Sequence, residues 1–214
     1  PIKVFLDKLE AGQDIDDTLT PQQEASRALT ESSYGFFLRN RAGDVAEIYL
    51  RLALEMDPEH DKAKLWLGNL LENSSRSKEA MALYQSVPEA SDYIVSAKLS
   101  QANIYFDRDE DDRAIALLEE TNADHTSFVT RESLGRARLI RENYEEALPI
   151  YDALVNSMSE ADIKENPEPL YFRGICHERL KQWDLAVADF LKVLEVSPDN
   201  ADALNYLGYT WVDR

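Results

Sequence analysis

Side chains that could bind a metal ion or act as a nucleophile are few and widely separated in this sequence. The three histidines are His60, His125 and His177. None is followed three or four residues later by a second ligand, the spacing that places two ligands on one helix face. The one cysteine, Cys176, takes a place where equivalent segments carry an apolar residue. We interpret it as a core residue rather than a nucleophile.

Alternating acidic residues at Asp107, Asp109 and Asp111 match the beginning of a calcium-binding loop. The sixth loop position, however, is Asp112 instead of glycine, and the twelfth is Leu118 instead of glutamate. We therefore interpret this run as a solvated turn. The sequence contains no glycine-rich phosphate loop, no GxSxG elbow and no HExxH motif. It predicts a protein that is not an enzyme and that needs no cofactor and no metal.

The charge balance restricts the classes of partner. The 214 residues include 41 Asp and Glu against 23 Lys and Arg, a formal net charge of −18. This excess disfavours nucleic acid, whose phosphates need cationic side chains. No run of about 18 apolar residues occurs, so no membrane span is predicted. Glycine and proline, at seven and eight residues, are too sparse for a sandwich rich in turns and favour an all-α chain.

An internal repeat is clearest between Pro167 and Asn200, and the same offsets recur along the chain. The repeats start at residues 27, 61, 95, 128, 167 and 201. Alanine occupies position 20 of all five complete repeats, and position 24 is always large and apolar. Position 8 holds glycine in four of the six repeats, namely Gly68, Gly135, Gly174 and Gly208.

This pattern predicts an αα-hairpin, with helix A over positions 1–14 and helix B over positions 18–31. Small residues at positions 8 and 20 let the two backbones approach, and the large residue at position 24 fills the space beside them. One hairpin cannot bury both its faces, whereas stacked hairpins can. The expected fold is a right-handed αα-hairpin superhelix of five complete repeats plus the first helix of a sixth.

The motif resembles the tetratricopeptide repeat (TPR) through Leu170, Gly174, Ala186, Phe190 and Pro198. The resemblance covers residues 27–214, which we interpret as part of a longer array, and leaves residues 1–26 outside it. The stretch 205–214 is similar to bacterial TPR proteins of the cell envelope. That likeness favours a bacterial periplasmic or envelope location, with the cytoplasm as the alternative.

In this family, helices A line a concave groove through positions 2, 5, 9 and 12, which implies a protein or extended peptide as partner. The two-carboxylate clamp that holds a partner's C-terminus is missing, because Leu65 and Leu99 replace its lysine. Acidic residues outnumber Lys62 and Arg136 on groove positions, so we expect a neutral or basic ligand. The predicted groove residues are Leu65, Asn69, Leu99, Asn103, Phe106, Arg136, Tyr171, Ile175 and Tyr209.

The preferred function is a non-catalytic binding scaffold or adapter, and two alternatives stay open. The chain could be the regulatory repeat domain of a larger enzyme. It could also be a self-assembly module whose exposed array ends pair in a homodimer.

Four local expectations concern the ends and the joints. Thr20, Pro21 and Gln23 form a helix start with a capping box. Five extra residues within 156–169 predict a longer loop or extended helix end and a flexible joint. Leu207 and Trp211 should be under-buried, because their helix B is missing. The last expectation is that the apolar positions near the N-terminus are the remnant of an element that packed on more protein: Ile2, Val4, Phe5, Leu6 and Leu9.

Overall fold

The computed structural model describes residues 19–37 and 43–212, and over these residues it contains twelve α-helices and no strand. The all-α hairpin class predicted from the sequence is therefore confirmed. The helices are α1 Pro21–Phe37, α2 Gly43–Met56, α3 Asp61–Asn73, α4 Ser77–Gln85, α5 Ile94–Phe106, α6 Asp111–Asp124, α7 Phe128–Ile140, α8 Tyr144–Ser157, α9 Glu160–Glu165, α10 Glu168–Arg179, α11 Trp183–Val196 and α12 Ala201–Val212.

The chain divides into two compact units, residues 1–111 and 112–214. In the first unit each helix packs on the next, from α1 to α5. In the second unit α7 packs on α8, α8 on α10, α10 on α11, and α11 on α12. The division falls inside the third sequence repeat, between its two helices. The repeat boundaries set out above stay predictions.

Three hairpins show why position 8 is glycine. A Cβ atom added to Gly174 would lie 2.8 Å from the Phe190 ring, and one added to Gly135 would lie 3.0 Å from the Tyr151 ring. Gly68 meets the ring of Tyr84 in the same way. The fully buried aromatic ring at position 24 thus occupies the space that a side chain at position 8 would need. These contacts link sequence positions 8 and 24 directly in the core.

The turn between helices A and B has one conformation in four repeats. The residues at position 15 have positive φ angles of 55–60°. The next residue donates its amide to a carbonyl five residues earlier, as Arg76 does to Leu71 at 2.8 Å. This is a Schellman turn, which usually carries glycine at the left-handed position. Here that position holds Ser75, Asp109, Glu142 and Lys181.

The expected start of the first helix is confirmed, whereas the inserted segment differs from expectation. The backbone amide of Gln23 donates to Thr20 Oγ1 at 3.3 Å, and the Gln23 side chain accepts from the Thr20 amide at 2.9 Å. The extra residues near 156–169 form the short helix α9 rather than a longer loop. Its Ile163 is buried against Val155 and Leu170, which explains why the segment is helical.

Two cationic residues at core positions of the repeat pair with polar groups of their own unit. Arg173 donates two hydrogen bonds to Asp189, at 2.6 and 2.8 Å, and Asp189 is 5% exposed. These bonds raise the pKa of the Arg173 guanidinium. In the first unit the buried Lys64 ammonium lies 3.0 Å from Asp61 and 3.2 Å from the Ser86 carbonyl. Each cation forms short polar contacts within its own unit, which offset the cost of burying a charge.

Candidate functional site

A small cleft opens on the helix-A side of the first unit, between α1, α2 and α3. It encloses about 220 Å³. The rings of Tyr34 and Trp66 lie 5.6 Å apart at its wall, and half of the Tyr34 surface is exposed. The Lys62 ammonium stands 4.6 Å from the Trp66 ring centroid and forms an ion pair with Glu31. The cleft is lined by Ser33, Tyr34, Ala46, Leu50, Trp66, Asn69 and Leu70.

An exposed amide stands at the rim of this cleft in a fixed orientation. The Tyr84 hydroxyl lies 2.7 Å from the side-chain oxygen of Asn69 and 2.9 Å from Glu72 Oε2. Burial, followed by the hydrogen bond with Glu72, raises the pKa of Tyr84 above its usual value. The hydroxyl is therefore protonated at neutral pH. Whichever end of the Asn69 amide the hydroxyl holds, the other end remains for a ligand.

The remaining predicted residues of the first unit differ in exposure. Asn103 is exposed, and Leu99 and Phe106 are half-buried. Leu65 is only 7% exposed and belongs to the core of the unit, so the expectation that it lines an accessible groove is wrong. The reason is that α4, α5 and the chain between them cover that side of α3: Leu65 joins a core with Tyr84, Val87 and Ile94.

The predicted residues of the second unit surround an aromatic cluster. Arg136 is exposed, and its guanidinium lies 5.4 Å from the Phe172 ring, 3.4 Å from Glu132 and 3.2 Å from Glu168. Tyr171 contacts the ring of Phe172 at 5.5 Å, and burial raises the pKa of Tyr171 to about 12. Ile175 is half-buried, and the Tyr209 side chain lies outside the described residues.

Sequence analysis missed the two aromatic residues of the cleft as binding candidates. The sequence signal for them was that the small and the large residue of the hairpin core are exchanged in the first repeat. Position 8 there is Tyr34 rather than a small residue, and position 24 is Leu50 rather than an aromatic ring. Without a large ring at position 24, the hairpin leaves space beside Tyr34. Trp66 then completes the wall from the next helix A.

The residues considered first for chemistry have structural contacts. His60 Nδ1 lies 2.7 Å from Ser26 Oγ, and burial lowers the pKa of His60. His177 Nδ1 lies 2.6 Å from Gln182 Oε1. Cys176 is buried, as expected, and burial raises its pKa to about 12, which keeps the thiol protonated. The acidic run 107–112 spans the turn between α5 and α6 and the first two residues of α6, and Asp109 is the left-handed residue of that turn.

Leu207 is 5% exposed, so the expectation that it is under-buried is wrong. It packs in the core that α8, α10 and α11 form in the second unit. The Trp211 side chain lies outside the described residues. No described helix is long and apolar enough to cross a membrane.

Comparison with known proteins agrees with this architecture. A tetratricopeptide repeat family model matches residues 37–94. A TPR repeat-containing protein of Pseudomonas aeruginosa is 28% identical over 157 residues. That alignment covers 72% of this chain and 25% of the relative, so the chain spans about a quarter of the relative's length.

Solved structures show the same fold at low sequence identity. PilF of Pseudomonas aeruginosa superimposes with a TM-score of 0.71 at 17% identity, covering 87% of this chain and 83% of PilF. YrrB, described as a TPR protein with an unusual peptide-binding site, gives a TM-score of 0.58 at 16% identity, covering 83% of this chain and 89% of YrrB. The family model thus shows tetratricopeptide repeats over residues 37–94, and the solved structures show the same fold over most of the chain.

Proposed function

We propose that the chain is a non-catalytic scaffold that binds an extended peptide segment of a partner protein on its helix-A faces. The observation that carries the proposal is the cleft of the first unit. It combines an aromatic wall, Tyr34 and Trp66, with the held amide of Asn69. Apolar pockets with a few placed polar groups are the usual form of a ligand site.

The chemistry of the cleft fits a peptide. An apolar side chain of the ligand packs in the cleft against the wall that Tyr34 and Trp66 form, and the free end of the Asn69 amide bonds to the peptide backbone beside it. Asn103 carries a second exposed amide on the next helix A, and Leu99 and Phe106 supply apolar contacts. An amide that meets backbone groups recognises an extended strand of many sequences, so selectivity comes from the apolar pocket.

The charges of the helix-A faces favour a neutral or basic ligand. The two cations on the predicted groove positions already have acidic neighbours, Lys62 with Glu31 and Arg136 with Glu132 and Glu168. Neither is left over for a ligand carboxylate. The net charge of −18 attracts basic segments at a distance, an effect that added salt weakens.

The proposal is tested with a peptide selected from a random library for binding to the wild-type chain. The double change Asn69→Ala and Asn103→Ala should weaken the selected peptide at least about tenfold, the effect of losing roughly 1.4 kcal/mol. The melting temperature should fall only slightly, because the Tyr84 hydroxyl keeps its hydrogen bond with Glu72 when Asn69 is removed. Asn73→Ala with Gln85→Ala is the matched control, since it removes two exposed amides of the same unit. Wild-type affinity in the first double variant would exclude the proposed use of the cleft.

The two other functions considered from the sequence stay predictions. A regulatory repeat domain of an enzyme requires a catalytic segment outside these residues. A self-assembly module requires association of the chain itself, which light scattering over a range of concentrations measures directly.

A further inference from the structure

The tyrosine that holds the Asn69 amide has more hydrogen-bond partners than it has hydrogens. The Tyr84 hydroxyl lies 2.7 Å from one end of this amide and 2.9 Å from Glu72 Oε2. It also forms a hydrogen bond with Ser100 of α5. A tyrosine hydroxyl donates one hydrogen and accepts others through the lone pairs of its oxygen. It therefore donates to one of these three groups and accepts from the other two.

Glu72 is the group that receives the hydrogen. Glutamate is ionised at neutral pH, and a carboxylate accepts hydrogen bonds but donates none. Ser100 and Asn69 each have a hydrogen to give, because a serine hydroxyl and an amide nitrogen both donate. A hydrogen bond to a charged acceptor is also about twice as strong as one to a neutral acceptor, so the carboxylate prevails over the amide oxygen.

The direction of the Asn69 amide follows from this assignment. The two ends of an amide are alike in shape, so its hydrogen-bond partners decide which end faces the hydroxyl. With its hydrogen on Glu72, the Tyr84 oxygen accepts from the amide nitrogen. The amide oxygen then points away from Tyr84, which is fully buried, and toward the exposed side of Asn69.

We propose that Glu72 is a positioning residue that, through Tyr84, turns the Asn69 oxygen toward the ligand, so that the ligand must supply a backbone N–H there. This inference rests on the function proposed above and adds a selection rule to it. An amide held by its oxygen would offer only N–H donors and would bind a ligand carbonyl instead. Proline, which has no backbone N–H, is excluded from this place in the ligand.

The direction of the amide is measured first, without any ligand. Nuclear magnetic resonance of the 15N-labelled chain resolves the two side-chain N–H protons of Asn69, which Asn69→Ala identifies by their absence. One of the two should exchange more slowly with water than the other, because Tyr84 accepts it. This protection should disappear in Tyr84→Phe. It should also disappear in Glu72→Leu, where the hydroxyl hydrogen is released and turns to the amide oxygen.

Two features of the chain make Glu72→Leu a controlled change. Leucine is the residue at the equivalent position of α7, Leu139, so the substitution copies an existing hairpin. Glu55→Gln removes one carboxylate from the exposed surface of the same unit. This control should leave the Asn69 protons and the affinity for the peptide as they are in the wild type.

The consequence for the ligand is measured with the library-selected peptide, whose backbone amides are replaced one at a time by esters. An ester lacks the N–H but adds no charge. One ester should weaken binding to the wild type about fivefold, the loss of one hydrogen bond. The same ester should cost less than about twofold in Asn69→Ala and in Glu72→Leu, and its full cost should remain in Glu55→Gln.

Three results would overturn the proposal. If Tyr84→Phe leaves both Asn69 protons unchanged, the amide oxygen faces the hydroxyl. If affinity depends on Asn69 but no ester cost does, the ligand gives this amide no N–H. If the ester cost persists in Glu72→Leu, Glu72 does not set the direction of the amide. A peptide affinity that does not depend on Asn69 at all would instead contradict the proposed function, and the proton measurement would still decide the direction of the amide.

Discussion

Hairpins α3–α4 and α7–α8 have the same core and differ at its edge. Both have glycine at position 8 and a fully buried tyrosine at position 24, Gly68 with Tyr84 and Gly135 with Tyr151. The Tyr84 hydroxyl lies within hydrogen-bond distance of an amide and a carboxylate. The Tyr151 hydroxyl is buried with no hydrogen-bond partner among the described residues.

The difference arises at positions 9 and 12 of helix A. These are Asn69 and Glu72 in the first hairpin, and Arg136 and Leu139 in the second. Leu139 offers no polar atom, and the Arg136 guanidinium is engaged by Glu132 and Glu168. Position 8 therefore sets where the ring lies, while positions 9 and 12 set what the hydroxyl meets. The hairpin core and the helix-A surface can vary separately.

The largest difference in stability between the two hairpins should appear when the glycine at position 8 is replaced by alanine. In Gly68→Ala, the new Cβ would overlap a Tyr84 ring that is fixed at its hydroxyl. We expect a loss of about 1–3 kcal/mol in unfolding free energy, although alanine is otherwise the better helix former. In Gly135→Ala the contact is looser, at 3.0–3.2 Å. The helix preference of about 1 kcal/mol should offset most of that cost.

Urea unfolding of both glycine variants measures this difference. Equal losses would show that hydroxyl contacts do not restrain the ring. Gly208→Ala serves as the control, because a Cβ at Gly208 meets nothing within 4 Å.

A second expected effect is loss of stability in alkali. Burial raises the pKa of both Tyr84 and Tyr151. In the unfolded chain a tyrosine loses its proton near pH 10, whereas the folded chain retains it. Above that pH the unfolded state binds fewer protons, so the unfolding free energy falls as pH rises, approaching about 1.4 kcal/mol per pH unit for each tyrosine.

The double change Tyr84→Phe and Tyr151→Phe should flatten this decline between pH 10 and 11. Unfolding free energies measured at several pH values give the slope, and lysine titration contributes equally to both proteins. A variant with the same slope as the wild type would contradict the raised pKa of the two tyrosines.

The sequence predicted the hairpins because their core positions carry a strong signal of residue size. Alanine at position 20 and glycine opposite a large ring recur with little variation. The left-handed turn at position 15 could not be predicted, because Ser75, Asp109, Glu142 and Lys181 share no side-chain type. Its conformation follows from ending helix A and starting helix B within three or four residues.

The candidate site was predicted only in part, for a related reason. Helix periodicity predicts on which side of its helix a residue lies. It does not predict whether later helices cover that side. Leu65 was expected on an open face and is buried by residues such as Val87 and Ile94. Conversely, Tyr34 interrupts the repeat pattern, and that interruption opens the cleft. A departure from the repeat was the informative signal there.

The smallest and most specific effect should come from removing each hydroxyl alone. Tyr84→Phe deletes the contacts with Asn69 and Glu72, and we expect a loss of about 1 kcal/mol in unfolding free energy. Tyr151→Phe deletes a buried hydroxyl without a partner, so it should leave stability unchanged or raise it by up to about 1 kcal/mol. Since the ring is retained in both variants, packing is matched, and opposite signs in urea unfolding isolate the hydroxyl.

The same pair of variants connects the core to the proposed site. Loss of the Tyr84 hydroxyl also frees the Asn69 amide to rotate, so Tyr84→Phe should weaken the library-selected peptide several-fold although Tyr84 touches no ligand. The Tyr151 hydroxyl contacts no predicted groove amide, so the Tyr151→Phe variant should bind the selected peptide as the wild type does. Equal affinities in both variants would mean that Asn69 needs no support from Tyr84, and the difference between the two hairpins would then concern stability alone.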